Sequence, residues 1–193
     1  MNRREKKHLL RKQKSVLRDL LSLKYRHSKS VALAILGEKK ISIKPGMKIA
    51  TFYPIKSEVN VNILVQKLKK KRCSFCMPSF KEDKMIFRQY TNKKNLVKSR
   101  FNILSPTINS PEIDPDIILI PLIAFDSVGN RIGYGKGNYD FAIANARLKG
   151  NNPYIVGIAF DIQETSYIQA EPNDIRMHAI LTESRFCQFN NNI

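Results

Sequence analysis

The sequence predicts an α/β fold of three layers, in which a mostly parallel central sheet lies between helices within a single domain spanning residues 1–193. Short apolar runs that are typical of buried strands alternate with segments whose apolar residues recur at helical spacing. The chain has 193 residues, 42% of them hydrophobic, which is enough for one sizeable core. A sheet of this kind has its binding site beyond the carboxyl ends of its strands.

The first predicted element is a basic amphipathic helix over residues 3–24. Leucine and valine recur there at helical spacing, with charged residues between them. Lys7 and Arg11 are four residues apart and therefore project from one face of this helix, where both can reach the same ligand.

The remaining elements follow from the same criteria. Ser28 or Ser30 is the predicted N-cap of a second helix, which ends at Gly37. Residues 102–115, rich in Ser, Pro and Asn, predict a surface loop, and residues 190–193 predict a loose tail. The predicted strands cover residues 48–53, 72–77, 85–90, 117–120, 154–160 and 177–182, and two further helices cover residues 60–71 and 139–148.

The chain is strongly basic, with 34 Lys and Arg against 16 Asp and Glu, a formal net charge of +18. Such an excess is typical of proteins that bind nucleic acid. Asn and Ile are also abundant, however, and AT-rich coding produces this bias without selection for any partner. We therefore expect a mostly solvated basic surface and no nucleic-acid partner, although its field would attract anionic ligands.

No apolar stretch approaches the roughly 20 residues that a membrane helix needs. The basic start of the chain also lacks the apolar region and the cleavage site of a secretion signal. The sequence therefore predicts a cytoplasmic protein without a membrane partner.

Two of the three cysteines form a C-x-x-C pair, Cys73 and Cys76, and the third is Cys187. Such a pair is found in zinc and redox sites. A zinc site needs further ligands at comparable spacing, and Cys187 with scattered histidines does not supply a second pair. The favoured interpretation is that the cysteines are small buried residues of a strand.

The most informative segment is residues 131–140, Arg-Ile-Gly-Tyr-Gly-Lys-Gly-Asn-Tyr-Asp. Alternating glycines let backbone amides approach an anion, and Arg131 and Lys136 supply matching positive charge. The spacing matches neither a Walker loop nor a dinucleotide fingerprint. An apolar run, residues 117–125, precedes the segment and a predicted helix follows it, which aims amide donors and a helix dipole at the anion. Asp140 can hold magnesium beside phosphate oxygens. A bound nucleotide phosphate is the favoured interpretation, and a flexible turn the alternative.

Residues 120–126 and 129–140 together resemble the signature of the 5-formyltetrahydrofolate cyclo-ligase family, also called the methenyltetrahydrofolate synthetases. Weaker matches occur in the family's order along the whole chain, at Lys7, Leu10 and Arg11, at residues 52–54 with Glu58 and Val59, at residues 157–160 with Gln163, at Asn173 and Asp174, and at residues 181–183. The resemblance implies a fold like that of the sugar-phosphate isomerase and CoA-transferase group. It also implies an ATP-dependent ligase that closes 5-formyltetrahydrofolate to 5,10-methenyltetrahydrofolate.

The resemblance further implies a set of site residues and two cofactors, ATP and Mg²⁺. The implied ATP-binding residues are Lys7, Arg11, Arg131, Ile132, Gly133, Tyr134, Gly135, Lys136, Gly137, Asn138 and Tyr139, and the implied folate-binding residues are Tyr53, Glu58, Gly135 and Lys136. Arg131 and Lys136 are the implied catalytic residues, and Asp140 is the implied metal ligand. We expect a monomer or a weak homodimer whose substrate is a small molecule.

Four positions depart from the family pattern. Asn138 replaces the first tyrosine of the family's Tyr-Tyr-Asp, Leu122 replaces a glycine and Phe141 replaces an arginine. His178 stands where the family commonly has a second acidic residue, and a neutral imidazole binds magnesium poorly. His178 is therefore a doubtful metal ligand.

Two other classes of function stay open on the sequence. A basic nucleic-acid-binding protein would explain the charge but not the glycine segment. Another phosphate-using enzyme on a related three-layer fold, such as a sugar-phosphate isomerase, would explain the glycine segment and would not need ATP.

Overall fold

A seven-stranded sheet forms the centre of the computed structural model, which describes residues 2–99 and 103–189. The strands are β1 (Lys48–Ala50), β2 (Ser74–Lys81), β3 (Lys84–Tyr90), β4 (Leu96–Lys98), β5 (Leu104–Pro106), β6 (Ile117–Pro121), β7 (Ala124–Phe125), β8 (Arg131–Ile132), β9 (Tyr154–Ile158), β10 (Ala179–Leu181) and β11 (Phe186–Gln188). The order in the sheet is β11-β10-β9-β6-β1-β2-β3. All neighbours are parallel except the two edge strands, β3 and β11, which pair antiparallel. The predicted mostly parallel sheet is confirmed.

Helices cover both faces of this sheet. They are α1 (Arg3–Asp19), α2 (Leu23–Lys40), α3 (Asn62–Leu68) and α4 (Asn138–Leu148). Alternate residues of each strand face opposite layers, as the pleat requires. Ile49 belongs to the core formed with α2 and α3, whereas its neighbour Ala50 belongs to the core formed with α4. The predicted three-layer arrangement is therefore confirmed.

The prediction of one helix over residues 3–24 is wrong, because the chain turns between α1 and α2. Ser22 caps α2 by accepting a hydrogen bond from the Tyr25 amide at 3.2 Å. Ser30, one of the predicted caps, lies inside α2 instead, where its hydroxyl donates to the Arg26 carbonyl at 2.7 Å. Its neighbour Ser28 also lies within α2.

The second helix continues past Gly37 to Lys40 because Gly37 serves packing and not termination. A Cβ atom at Gly37 would lie 2.6 Å from Leu181 Cδ2 and 3.0 Å from Leu64 Cδ1. The missing side chain therefore lets α2 approach both the sheet and α3. A glycine at the end of an apolar pattern indicates either the end of a helix or a close contact between elements. At Gly37 the structure shows the close contact.

Other predicted boundaries move by a few residues, and five short strands, β4, β5, β7, β8 and β11, were not predicted. The first strand ends at Ala50 and not at residue 53, and the strand predicted over 154–160 ends at Ile158. β5 lies inside the predicted loop over residues 102–115, and β11 was not predicted. The predicted tail, residues 190–193, lies outside the described residues. None of the described helices combines the length and the apolar character that crossing a membrane requires.

A short hairpin, β7 and β8, leads into the glycine segment. Its turn is organised by the buried carboxylate of Asp126, which accepts the Val128 and Asn130 amides at 3.1 and 2.9 Å on Oδ1. Oδ2 accepts the Asn130 side-chain amide at 2.9 Å and the Ile168 amide at 3.1 Å. Four donors on one carboxylate fix the direction in which the chain leaves the hairpin.

We predict that Gly157→Ala destabilises the fold by about 1–3 kcal/mol, because the added methyl group overpacks the centre of the sheet. A Cβ at this position would collide with Met177 Sδ and lie 2.9 Å from Leu122 Cδ2. Chemical denaturation measures the change. Gly133→Ala is the matched control, since its Cβ would meet nothing within 4 Å, and its free energy of unfolding should stay within about 0.5 kcal/mol of the parent. Equal effects of the two substitutions would contradict this account.

Candidate active site

A cavity of about 610 Å³ opens beyond the carboxyl ends of β1 and β6. Its walls come from the loop after β1, the glycine segment, the start of α4 and the inner face of α1. Each predicted ATP-binding or folate-binding residue lines this cavity, as does Asp140. The fold thus brings residues between positions 4 and 174 together around one cavity, at the edge where parallel sheets commonly bind ligands.

The glycine segment forms the loop between β8 and α4. Gly135 and Gly137 have φ angles of +92° and +65°, values that favour glycine because a Cβ would crowd the backbone. Gly137 is also the N-cap residue of α4, and with no side chain it leaves the space in front of the first helical amides clear. The loop therefore presents backbone donors and the positive end of a helix dipole to the cavity.

Helix α1 presents cations to this loop. Arg11 donates from Nε to the Gly133 carbonyl at 2.8 Å, so the guanidinium lies directly against the glycine segment. Lys7, one turn earlier, pairs through Nζ with Asp174 Oδ2 at 2.5 Å and with Glu171 Oε1 at 3.4 Å. The two cations that the sequence places on one helical face do reach one cavity.

Arg131 and Asp140 form an ion pair at the start of α4. Arg131 Nη2 lies 2.6 Å from Asp140 Oδ1, and Nη1 donates to the Ile175 carbonyl. The Ile175 amide donates to the same Asp140 oxygen at 3.0 Å. Asp140 was predicted as a metal ligand, and in the structure the contacts of its Oδ1 orient Arg131. A guanidinium held by a carboxylate and a carbonyl is preorganised to meet an anion.

Glu58 lies at the buried end of the cavity. Its Oε2 accepts the Ile55 amide and its Oε1 accepts the Tyr134 hydroxyl, both at 2.9 Å. Burial raises the pKa of Glu58, and the Ile55 amide, Arg18 and Tyr134 oppose this shift. Burial and the adjacent Glu58 carboxylate together raise the pKa of Tyr134 to about 12, so this phenol stays protonated at neutral pH and donates its proton to Glu58.

Tyr139 and Tyr53 complete the aromatic part of the wall. Burial raises the pKa of the Tyr139 phenol, and the nearby Glu58 carboxylate raises it further. The Tyr139 ring lies 6.5 Å from the ring of Phe87, centroid to centroid. Apolar rings beside one buried carboxylate are suited to a flat heterocycle that carries N–H groups.

His178 lies at the opposite edge of the sheet, immediately before β10. Its Nδ1 accepts the Ile155 amide at 2.8 Å, and its ring stacks on Tyr154 with centroids 5.0 Å apart. Burial, and then the charge of Arg147, lower the pKa of His178. The imidazole therefore serves as a neutral acceptor within the sheet, and the structure does not bring it to the cavity that Asp140 lines.

Sequence reasoning assigned no role in the site to Arg18. Its side chain is only 1% exposed, and it reaches Tyr134 and the loop that carries Glu58. A signal was present, because positions 7, 11, 14 and 18 of α1 all carry Lys or Arg at the spacing of one helical face. On the same helix Val16 is 51% exposed, so α1 turns cations inward and an apolar side chain outward.

The sequence model of the 5-formyltetrahydrofolate cyclo-ligase family matches residues 3–183. This chain belongs to that family. A cyclo-ligase of this family from Haemophilus influenzae is 28% identical over 148 residues, which cover 73% of this chain and 78% of the relative.

Two solved structures share the fold of this cyclo-ligase family member. The 5,10-methenyltetrahydrofolate synthetase of Aquifex aeolicus aligns with a TM-score of 0.81 at 25% identity, covering 97% of this chain and 94% of the other. That of Mycoplasma pneumoniae aligns with a TM-score of 0.73 at 26% identity, covering 92% and 98%. The match covers nearly the whole of each chain and agrees with the observed arrangement of layers.

The other departures from the family pattern differ in how they meet the site. Asn138 lines the cavity as the first residue of α4, whereas Phe141 is 45% exposed. Leu122 is buried against the core beneath α4, and its carbonyl accepts Gln163 Nε2 at 2.7 Å and Arg18 Nη1 at 3.2 Å. A carbonyl is available whatever the side chain, so the replacement of glycine by leucine keeps these contacts.

The two cysteines of the C-x-x-C pair differ in burial, with Cys76 buried and Cys73 partly exposed. Burial raises the pKa of Cys76 well above its usual value, which disfavours the thiolate that zinc binding requires. Cys73 is partly buried, and its thiol donates to the Leu68 carbonyl at 3.3 Å. Within residues 2–99 and 103–189, no group of three or more His, Cys, Asp or Glu is arranged to hold a metal ion.

We predict that Cys76 is inert toward a thiol reagent such as 5,5′-dithiobis(2-nitrobenzoate) in the folded protein. The partly exposed Cys73 and Cys187 should react first, because Cys76 is buried and its raised pKa leaves little thiolate. Cys76→Ser should leave the number of rapidly reacting thiols unchanged and lower the total by one only after denaturation. Loss of a rapidly reacting thiol from the folded variant would show that Cys76 is accessible.

Proposed function

We propose that this chain converts 5-formyltetrahydrofolate to 5,10-methenyltetrahydrofolate with ATP and releases ADP and phosphate. Membership of the cyclo-ligase family supports the reaction. The observation that carries the proposal is the single cavity that joins the glycine loop and the cationic face of α1 to the aromatic wall around Glu58. The glycine loop and the cations of α1 suit a triphosphate, and the aromatic wall around Glu58 suits a pterin.

The chemistry needs ATP because the formyl oxygen is a poor leaving group. The formyl oxygen attacks the γ-phosphorus of ATP, the bond between that phosphorus and the bridging oxygen breaks, and ADP leaves. Nitrogen 10 then attacks the activated formyl carbon and loses its proton, and inorganic phosphate departs with the former formyl oxygen. The protein contributes alignment of the two reactants and neutralisation of phosphate charge, and no covalent intermediate with a side chain is required.

The triphosphate end of the cavity is assigned to the glycine loop and the adjacent cations. Arg131 and Lys136 would neutralise the transferred phosphoryl group, while Lys7 and Arg11 would hold ATP from the side of α1. The remaining ATP contacts are assigned to the loop and the first turn of α4, at Ile132, Gly133, Tyr134, Gly135, Gly137, Asn138 and Tyr139. The hydrogen bond from Arg11 to Gly133 supports this assignment, because it places a cation against the loop before any ligand enters.

The folate end is assigned to Tyr53 and Glu58, with Gly135 and Lys136 at the boundary between the two substrates. A buried carboxylate can accept N–H groups of a pterin, and aromatic side chains can pack against its rings. Glu58 lies on the loop after β1, and Gly135 lies in the loop that approaches it through Tyr134. The proposed transfer therefore takes place where the two loops meet.

Magnesium fits this cavity when ATP supplies part of its coordination. Magnesium commonly keeps several waters and binds one or two carboxylates together with substrate phosphates. Asp140 is the carboxylate that would hold it, since both of its described hydrogen bonds use Oδ1. Bound magnesium would neutralise the β- and γ-phosphates. His178 is not part of this proposal, because it lies at the other edge of the sheet.

We propose that the enzyme acts as a monomer or a weak homodimer and without a nucleic-acid partner. Residues of one chain, within the described ranges 2–99 and 103–189, line both the phosphate side and the folate side of the cavity, which supports this proposal. The formal charge of +18 would draw anionic substrates toward the cavity in a salt-dependent manner.

The purified chain should form methenyl product from 5-formyltetrahydrofolate only when ATP and magnesium are both present. The methenyl product absorbs in the near ultraviolet, so its formation can be followed directly, and ADP should appear in equal amount. Absence of product and of folate-dependent ADP would reject the proposal. Product formed without ATP would favour a different phosphate-using enzyme on this fold.

Arg131→Ala and Asp140→Asn should each lower kcat/KM by at least about tenfold, which corresponds to about 1.4 kcal/mol of lost transition-state stabilisation. Asp140→Asn should also raise the magnesium concentration needed for half-maximal rate if Asp140 holds the metal. Asp114→Asn is a matched control because Asp114 is exposed outside the cavity lining, and it should change neither quantity. Unchanged turnover in both site variants would show that the site is misassigned.

A further inference from the structure

The packing of α1 is unusual because its most buried side chain is a guanidinium. Arg18 is 1% exposed, whereas Leu20 and Leu23, close by in the chain, are 76% and 77% exposed. Burying an arginine removes the water that solvates its charge, and only good hydrogen-bond geometry offsets that cost. The contacts that Arg18 makes therefore indicate what this buried charge does for the site.

The guanidinium joins three segments that are far apart in the sequence. Its Nε donates to the Ser57 hydroxyl at 3.0 Å, and its Nη1 donates to the Leu122 carbonyl at 3.2 Å. Its Nη2 donates to the Tyr134 hydroxyl at 3.0 Å. These partners belong to the loop after β1, to the segment after β6 and to the glycine loop, so one planar group sets the spacing between all three.

Hydroxyl groups link this cation to two carboxylates. Tyr134 accepts from Arg18 and donates to Glu58 Oε1 at 2.9 Å. Ser57 accepts from Arg18 and donates to Asp19 in the same way. Across residues 2–99 and 103–189, the ion pairs of the structure give Arg18 no direct carboxylate partner. The phenol of Tyr134 is therefore the step that connects Arg18 to the carboxylate in the cavity.

We propose that Arg18 is a positioning residue of the active site, which acts through the Tyr134 hydroxyl to hold Glu58 in its folate-facing orientation and to fix the glycine loop beside it. This inference rests on the proposed function, because it assigns Arg18 a role in the same site. Arg18 is not among the residues that line the cavity, so it acts through Tyr134 and Ser57 and not by direct contact with substrate.

The glycine loop needs such an anchor because of its own composition. Tyr134 lies between Gly133 and Gly135, whose backbones have more conformational freedom than other residues. The side chain of Tyr134 is the connection from this loop to the buried side of the cavity, while Arg11 holds the Gly133 carbonyl from α1. Loss of the phenol hydroxyl should release the loop on the side where the two substrates meet.

The same contacts set the charge of Glu58. Burial raises the pKa of this carboxyl, and the groups that face it act in both directions. Arg18 of α1, Lys56 of its own loop and the Tyr134 hydroxyl lower that pKa, while the buried phenol of Tyr139 lies close enough to feel the Glu58 charge. Removing Arg18 or the Tyr134 hydroxyl should therefore raise the pKa of Glu58 further, so that it is ionised only at higher pH.

The test uses Tyr134→Phe, Arg18→Met and Arg18→Lys in the full chain. Tyr134→Phe keeps the ring and removes only the hydroxyl, so it remains informative if Arg18→Met unfolds. We expect kcat/KM for 5-formyltetrahydrofolate to fall by about tenfold or more in Tyr134→Phe and Arg18→Met. The acid limb of the pH profile should also move to higher pH. Arg18→Lys keeps the charge and loses the planar guanidinium. It should move the acid limb less than Arg18→Met does and still lower kcat.

The double variant tests whether Arg18 acts through Tyr134. If it does, the shift of the acid limb in Arg18→Met with Tyr134→Phe should be smaller than the sum of the two single shifts. Tyr167→Phe and Arg147→Lys are the matched controls, since both residues are exposed outside the cavity, and neither should move the limb. An unmoved limb in folded Tyr134→Phe, or fully additive shifts, would overturn the proposal.

A measurement that does not need turnover separates this inference from the proposed function. With ¹³C-labelled glutamate, NMR follows the titration of the Glu58 carboxyl, which Glu58→Gln identifies by the loss of its signal. The titration midpoint should rise in Tyr134→Phe and in Arg18→Met. If the parent protein makes no methenyl product, the proposed function fails, and the NMR midpoints still decide the role of Arg18. If the parent is active and the midpoints do not move, only the positioning role fails.

Discussion

The docking of α1 onto the carboxyl edge of the sheet is the constraint on which the site depends. The helix holds the glycine loop at two points, through Arg11 on the Gly133 carbonyl and through Arg18 on the Tyr134 hydroxyl. Both contacts are made by cations, so the face that α1 turns inward is mainly basic. A glycine-rich loop has many conformations available, and these contacts select one of them. The fold thus uses its first helix to order a loop that lies more than 110 residues later in the chain.

Charge in the cavity is arranged in pairs before any substrate is present. Lys7 lies against Asp174, and Arg131 lies against Asp140. Pairing keeps flexible cationic side chains in fixed positions, which lowers the reorganisation that is needed when a triphosphate enters. The buried carboxylate, Glu58, is held by an amide and a phenol. The cavity therefore contains a cationic region beside the glycine loop and, separate from it, the Glu58 carboxylate within an apolar wall.

Two of the replacements that distinguish this chain from the family pattern are accommodated by hydrogen bonds that involve the backbone. At Leu122 the side chain joins the core and the carbonyl makes the hydrogen bonds, so the change from glycine affects packing near Gly157 and not the contact to Arg18. At His178 the imidazole has become an acceptor for a strand amide and stacks on Tyr154. Asn138 is different, because it lines the cavity itself.

The sequence by itself determined the α/β class, the mostly parallel sheet and the importance of the glycine segment, because apolar periodicity and glycine spacing are local properties. It also placed Lys7 and Arg11 on one helical face. Tertiary structure alone decided that α1 buries Arg18 and exposes Val16, since hydropathy predicts the opposite and only partners distant in the chain reverse it. It likewise decided that Gly37 lies within a helix and that His178 lies outside the cavity that Asp140 lines. Long-range contacts set these outcomes, and the local pattern shows only that Arg18 shares a helical face with Lys7 and Arg11.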